Sequence, residues 1–574
     1  MSNVRFPRKL SMYRKKLTQY GLLFSLLLIS LAQAQTPPDA GMLRQQIEQG
    51  LPPLMPRPAP LERPAPPPAM QALPGDLMVR EFRFVGNTLI KTELLQPAVA
   101  DWLNRPLNFN QLQAAAAAVA QVYRDAGWIV RAYLPQQEIV GGIVTIQIVE
   151  ALFGSVHFES GAVQRISQDR LQKGLAKTQT PGQPINAEAL DRSLLLLSDL
   201  PGVTVAGSLR EGARQGESDV VLKVADKPLL AGDAAIDNTG SPSTGKVRLS
   251  ANLALNSPFA FADQGNLNFL HTEGSDYLRL AYSIPLGYDG WRMGINTSDM
   301  RYKLISPAFA ALNGFGSSAT SGLDSSYPIY RSRLSNLYFN ATLDHKSFDN
   351  SSAGATTTRY QLTTASAGIS GNLTDTLGAG GTSNASLTLT GGRVNLDGSP
   401  NQGADAKSTQ TAGQFSKLRY AASRLQTLSE SLTFNANLTG QIASKNLDSG
   451  ERFYLGGSGG VRAYPGSEGG GSEGMMANLE LRWRLVNGFN LTGFYDWGSV
   501  TVNRNNDFVG FAPLNRLSLQ GGGLVLGWQG ESGFNLRLVW ARRIGDNPNP
   551  TSTGNDQDGT LIRDRFWLNA SLPF

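Results

Sequence analysis

The fold class predicted for this chain is a pair of α+β domains followed by an all-β transmembrane antiparallel barrel. Three observations carry it. Up to about residue 228, helical and alternating patterns occur together, twice over and in the same order. From Leu229 to Phe574 the helical period is gone, and short alternating strands run between Gly-, Ser-, Asn- and Thr-rich turns. Beyond the first 34 residues no apolar run is long enough for a membrane helix, so a membrane-spanning chain of this kind must close into a barrel.

Residues 1–34 read as a cleaved secretory signal. Arg5, Arg8, Lys9, Arg14, Lys15 and Lys16 form a basic start, Gly21 to Leu31 is apolar, and Ala32-Gln33-Ala34 is an A-x-A site that places the cut between Ala34 and Gln35. These six basic side chains equal the formal net charge of +6, so the rest of the chain is neutral overall. The basic balance belongs to the leader, and it gives no support to a nucleic-acid partner. With 0 cysteines, the exported chain has no disulfide, thiolate metal site or cysteine nucleophile.

Residues 35–75 are a linker that holds one short helical pattern. Asp39 is placed to cap Ala40, Met42, Leu43, Gln46 and Ile47, with a stop at Gly50. Ten prolines between Leu51 and Pro74 then favour an extended spacer. On residues alone this segment is either a tether or a docked helix.

Residues 76–151 form the first α+β unit. A strand is predicted over 78–85, a helix over 88–104, and a second helix capped by Asn110 and stopped at Gly127. Strands over 128–134 and 142–150 follow. Residues 152–228 repeat the outline: a strand over 154–158, a helix over 168–176, a helix from Asn186 to Leu200, and strands over 203–209 and 218–225.

The barrel is assigned to residues 229–574. Val247, Leu249, Ala251, Leu253 and Leu255 alternate with Arg248, Ser250 and Asn252; Leu479, Leu481 and Trp483 alternate with Asn478, Glu480 and Arg482. One face is apolar and the other carries charge, which suits lipid outside and water inside. Strands of about 9–11 residues and aromatic strand ends favour a membrane barrel over a soluble sandwich. The last strand, with Phe566, Leu568, Ala570 and Leu572 on one face, runs to Phe574, read here as a C-terminal assembly signal. On the strand from Phe489, alternation sets Tyr495 and Trp497 against Phe494 and Asp496; since the apolar face meets lipid, Asp496 points inward.

Two enzyme-like patterns fail on context. Gly456-Gly457-Ser458-Gly459-Gly460 matches G-x-S-x-G, but His157, His271 and His345 all precede it and no helix follows. Gly240 to Lys246 approaches a phosphate loop, but Val247 opens a strand rather than a helix. No enzyme activity, cofactor, metal or nucleotide is expected.

The whole chain after residue 34 resembles the TpsB transporters of two-partner secretion, the haemolysin secretion/activation proteins. The resemblance is carried by Tyr123 to Trp128, a turn like that of a POTRA domain, and by Leu200-Pro201-Gly202, Asp237 to Gly240 with Thr244-Gly245, Val461-Arg462-Ala463-Tyr464, and Phe494-Tyr495-Asp496-Trp497-Gly498. It implies two periplasmic POTRA domains, a barrel of about sixteen strands in the bacterial outer membrane, a docked plug helix, and a loop around 455–475 folded back into the lumen. The 346 residues from 229 onward leave about 22 for each strand and loop of such a barrel.

It further implies that Arg462 at the loop tip pairs with Asp496, whereas the residues alone favour two solvated lumen charges. Its expected partners are a secreted exoprotein, outer-membrane lipid and the barrel-assembly machinery. The expected function is secretion of that exoprotein, unfolded, through the barrel after its recognition by the POTRA domains. A barrel-assembly factor of the same superfamily is the alternative, and a passive porin a weaker one.

Overall fold

The structure, a computed structural model, describes residues 37–49, 77–159 and 163–574. The signal segment, with Ala34 and Gln35, and the proline-rich stretch lie outside the described residues.

Each α+β unit is built on a three-stranded sheet with its third strand in the middle, parallel to the first and antiparallel to the second. In the first unit these strands are Glu81–Val85, Val130–Tyr133 and Ile143–Glu150; in the second they are Leu152–Phe158, Val203–Glu211 and Glu217–Asp226. The repeat seen in the sequence is thus a repeat of topology. Helix Phe109–Asp125 buries Leu112, Ala115, Val119 and Tyr123 against Phe82, Ile146 and Ile148, while helices Gln168–Ala176 and Ala187–Ser198 bury Leu171, Leu175 and Leu190 against Val220 and Leu222.

Three local expectations need correction. The helix predicted over 88–104 spans only Thr92–Val99, with a short 3-10 turn to Trp102. Its start is lost because the Glu150 carboxylate accepts the N–H groups of Thr88 (2.7 Å) and Leu89 (2.8 Å), holding them in a loop. The next helix is capped by Asn108, not Asn110, since Asn108 and Gln111 exchange side chain and backbone bonds of 2.9 Å in a capping box. The strand over 78–85 is two strands, Leu77–Val79 and Glu81–Val85, divided where Arg80 N–H turns to the Gly142 carbonyl.

The second unit is fastened to the barrel. Arg331, at the end of barrel strand Phe315–Arg331, holds both carboxylate oxygens of Asp199 at 2.7 Å. Arg333 reaches Asp191 at 2.8 Å and Arg192 donates to the Pro328 carbonyl at 2.8 Å. The two units meet each other through backbone bonds, Ile129 N–H to Ile185 O and Ala187 N–H to Gly127 O.

The barrel closes on itself with sixteen antiparallel strands. The first, Leu230–Asp237, pairs with the last, Asp564–Pro573, from Asp233↔Pro573 to Asp237↔Asn569. Gly232 and Phe574 exchange two further backbone bonds of 2.9 Å across that seam. Exposed Leu249, Leu280, Leu479, Leu481, Trp483, Leu568 and Leu572 form the outer apolar band. Among the described residues no helix is long and apolar enough to cross a membrane.

Strand length departs from the 9–11 expected. Phe315–Arg331, Ser335–Ser352, Ala355–Asp375 and Gly381–Asn395 have 17, 18, 21 and 15 residues. At about 3.3 Å per residue the longest is about 70 Å, well beyond an apolar band of about 25 Å even when tilted. Their Ser-, Thr- and Asn-rich outer halves carry the hairpins past the bilayer. The turns at the end that bears the α+β units are short, and the longest loops lie at the other, the usual polarity of an outer-membrane barrel.

Candidate functional site

The segment between strands Leu432–Ala443 and Glu473–Arg484 folds back into the barrel. Glycine lets it do so. A Cβ at Gly456 would lie 1.9 Å from the Pro465 carbonyl oxygen and one at Gly460 2.0 Å from that of Leu455, so the two limbs touch only because both side chains are absent. Close packing of the limbs therefore accounts for the G-x-S-x-G spacing.

At the tip, Val461, Arg462, Ala463 and Tyr464 are all buried. Arg462 is the anchor. Its backbone N–H and Nε donate to Asp496 Oδ2 at 3.0 and 2.9 Å, its Nη2 to Asp496 Oδ1 at 2.7 Å, and its Nη1 to Glu480 Oε1 at 2.6 Å. Asp496, on strand Phe489–Thr501, is 0 % exposed and takes a fourth bond from Asn478 Nδ2 at 2.8 Å. The guanidinium lies 3.6 Å from the centre of the Phe494 ring, a cation–π contact out of water. Planar Arg462 is thus held on its edge by two carboxylates and on its face by an aromatic ring, which fixes one pose.

The other motif residues make room for this. Phe494 and Asp496 face inward, while Tyr495 is exposed on the outer face. A Cβ at Gly498 would come within 2.6 Å of Leu455 Cδ2, so the bare strand there admits the loop. Ala463 has no left-handed backbone angle, and its methyl sits over Gly521, where a Cβ would clash at 2.6 Å. Phe574 lies far from this site, at the seam and exposed.

Sequence reasoning missed three participants. Glu480 and Asn478 share the inward parity of their strand, a signal available from the alternation. Trp567 Nε1 donates to the Arg462 carbonyl at 2.8 Å, which nothing in the local sequence announces.

Helix Ala40–Gln49 lies inside the lumen beside the loop. Asp39 accepts from Met42 N–H at 2.8 Å as its cap and from Ser449 Oγ at 2.9 Å. Ala40 N–H reaches Asn350 Oδ1 at 2.9 Å on the barrel wall, Gln46 Nε2 reaches the Gly466 carbonyl at 3.0 Å, and Gln45 Nε2 donates to the Arg452 carbonyl. Leu43 packs in the apolar cluster with Tyr277, Met300 and Phe348. The helix therefore bridges wall and loop.

Residues 77–151 match the ShlB-type POTRA domain, and residues 216–521, just over half of the chain, match the haemolysin secretion/activation protein family ShlB/FhaC/HecB. The heme/hemopexin transporter protein HuxB of Haemophilus influenzae is 24% identical over 497 residues, covering 85% of each chain. The outer membrane transporter CdiB of Dickeya dadantii (strain 3937) is 26% identical over 444 residues, covering 73% of this chain and 75% of that one. The solved structure of CdiB from Escherichia coli covers 100% of both chains with a TM-score of 0.66 at 18% identity, a likeness of fold. With its closed barrel and its POTRA domain, this chain belongs to the ShlB/FhaC/HecB family of haemolysin secretion/activation proteins, outer-membrane transporters that secrete a partner exoprotein.

Proposed function

We propose that the α+β units receive the unfolded exoprotein in the periplasm and that the Arg462–Asp496–Glu480 anchor holds the in-folded loop where transport requires it. The observation that supports this most directly is the three-bond seat of Arg462 on a fully buried lumen carboxylate. A buried ion pair is a poor way to add stability, because desolvation offsets most of its attraction, but it defines a single geometry well. Placed at a loop tip rather than within the wall, it serves position.

The receiving step follows from the sheet edges of both units: Glu81–Val85 and Val130–Tyr133 in the first, Val203–Glu211 and the part of Leu152–Phe158 beyond Phe153 in the second, the start of that strand being paired with Gly182 to Pro184. An extended passenger segment can add to such an edge through backbone hydrogen bonds without a fixed side-chain sequence. The barrel meets outer-membrane lipid with its apolar band, and the barrel-assembly machinery inserts it, with Phe574 in the C-terminal signal.

The test is secretion of a co-expressed partner exoprotein by Asp496→Asn and Arg462→Ala chains, with heat-modifiable gel migration as the check on barrel assembly. Assembled barrels that secrete at least tenfold less are expected. Full secretion by both variants rules the positioning role out.

A further inference from the structure

The base of the in-folded loop has a second fastening, at its outer side, in the loop 544–563 between the last two strands. Glu468 is 1% exposed, and its carboxylate accepts from Asn547 Nδ2 at 2.9 Å and from the Gln557 N–H at 2.9 Å. Asn547 Nδ2 also reaches Asp556 Oδ1 at 2.9 Å, and Asp556 in turn takes Arg543 Nη2 at 2.5 Å and Arg565 Nη2 at 2.9 Å. Arg543 then lies 4.4 Å from the centre of the Tyr464 ring. One chain of contacts thus runs from the outer loop to the motif itself.

Glu468 is well placed to move the whole segment. Its carbonyl accepts the Gly456 N–H at 3.1 Å and its N–H donates to Pro465 O at 3.0 Å, so both limbs are tied to it. Gly469 beside it has a φ of +66°, an angle that favours glycine and suits a hinge.

The two fastenings differ in kind. At the inner one, Asp496 takes four bonds, three of them from a guanidinium-bearing residue that also binds Glu480. At the outer one, Glu468 has no ion pair among the described residues, only neutral donors. At the inner fastening donor and acceptor are both charged, whereas at the outer one no donor is, so the outer fastening gives way first.

We propose that Glu468 is a positioning residue of the in-folded loop, and that its contact with Asn547 is an outer latch that must release for the lumen to open. This rests on the loop-positioning reading above, but it concerns a different contact and makes a separate prediction. Release lets loop 544–563 swing from the base of the in-folded loop while Arg462 keeps its seat. Burial pushes the Glu468 carboxyl up to about 7, and Asp556 and Asp558 press the same way against the bonds from Gln557 and Asn547. The closed latch therefore favours the protonated form, and it loosens as pH rises through about 7.

The chain has no cysteine of its own, which makes the test clean. In Glu468→Cys/Asn547→Cys, a short bis-methanethiosulfonate cross-linker joins the two thiols through reducible disulfides, each thiol displacing a methanesulfinate, and potassium chloride conductance in planar bilayers reads opening. Bridged protein is expected to open at least tenfold less often than the same protein after reduction. Equal opening before and after reduction overturns the latch, and it leaves untouched the Arg462 anchor, which is tested by other variants. A second measurement needs no cross-link. The native chain is expected to open several-fold more often at pH 8 than at pH 6, and Glu468→Gln, which keeps the acceptor for Asn547, to lose that rise. An unchanged rise in Glu468→Gln also overturns the proposal.

Discussion

Gly41 is the point at which the lumen helix can be dislodged with least collateral change. A Cβ there would lie 2.6 Å from Ser449 Oγ and 2.8 Å from the Gly450 nitrogen, with backbone rather than a flexible tip on one side. Gly41→Leu therefore overpacks a tight contact, at a cost of about 1–3 kcal/mol. Against this stand five bonds from the segment to wall and loop, through Asp39, Ala40, Gln45, Gln46 and Glu48, at about 0.5–1.5 kcal/mol each. Burial of Leu43 adds about 2 kcal/mol.

The substitution thus removes part of the docking energy, and the undocked fraction should rise about five- to a hundredfold at about 1.4 kcal/mol per decade. Undocking also melts the helix, because ten residues alone do not sustain one. Single-channel recording in planar bilayers is the assay. Gly41→Leu should show opening events more frequent by that factor, and a chain lacking residues 37–49 should open more often still. If the deletion leaves conductance at the native level, the helix does not occlude the lumen and the reasoning fails.

Two other outcomes are expected. Burial, with Asp39 beside it, pushes the Asp448 carboxyl up to about 6 where the helix docks, against the bonds from Gly450 N–H and the Tyr360 hydroxyl and the charge of Arg452. A raised carboxyl contributes fully below its ordinary value and loses that contribution as pH rises through about 6. Openings should therefore become more frequent between pH 4 and 6, and Asp448→Asn should flatten that limb alone; an unaltered limb counts against the assignment. Arg331→Ala strands the partly buried Asp199 and removes a buried two-bond pair, a loss of about 3–5 kcal/mol at the junction of second unit and barrel. Spin labels on the two sides should show a broadened distance distribution with barrel migration unchanged, and a distribution as narrow as the native one would place the junction's rigidity elsewhere.

What was legible in the sequence followed the strength of its periodicities. Strand alternation is obligatory in a wall with lipid on one side and water on the other, so the inward direction of Asp496 follows from its neighbours Tyr495 and Trp497. Asp39 was legible as a cap because a carboxylate before an amphipathic run has few other local uses. The start of helix Thr92–Val99 was not, since it depends on Glu150, a residue 58 positions beyond Thr92 that captures the preceding N–H groups. The Glu468–Asn547 contact was equally hidden. Both residues sit in Gly- and Asn-rich loops without any period, and their meeting depends on where two distant hairpins end.

The salt-bridged clamp at Arg331 and Asp199 also decides where the periplasmic arm can bend. With helix Ala187–Ser198 bolted to the rim, the nearer domain behaves as part of the barrel's collar. Any bending is then left to the joint around Gly127 and Ile185, where main-chain bonds and the packing of Ile129 tie one domain to the next. A polypeptide held on the outermost domain, as proposed above, would be presented from that joint to a mouth whose collar stays fixed.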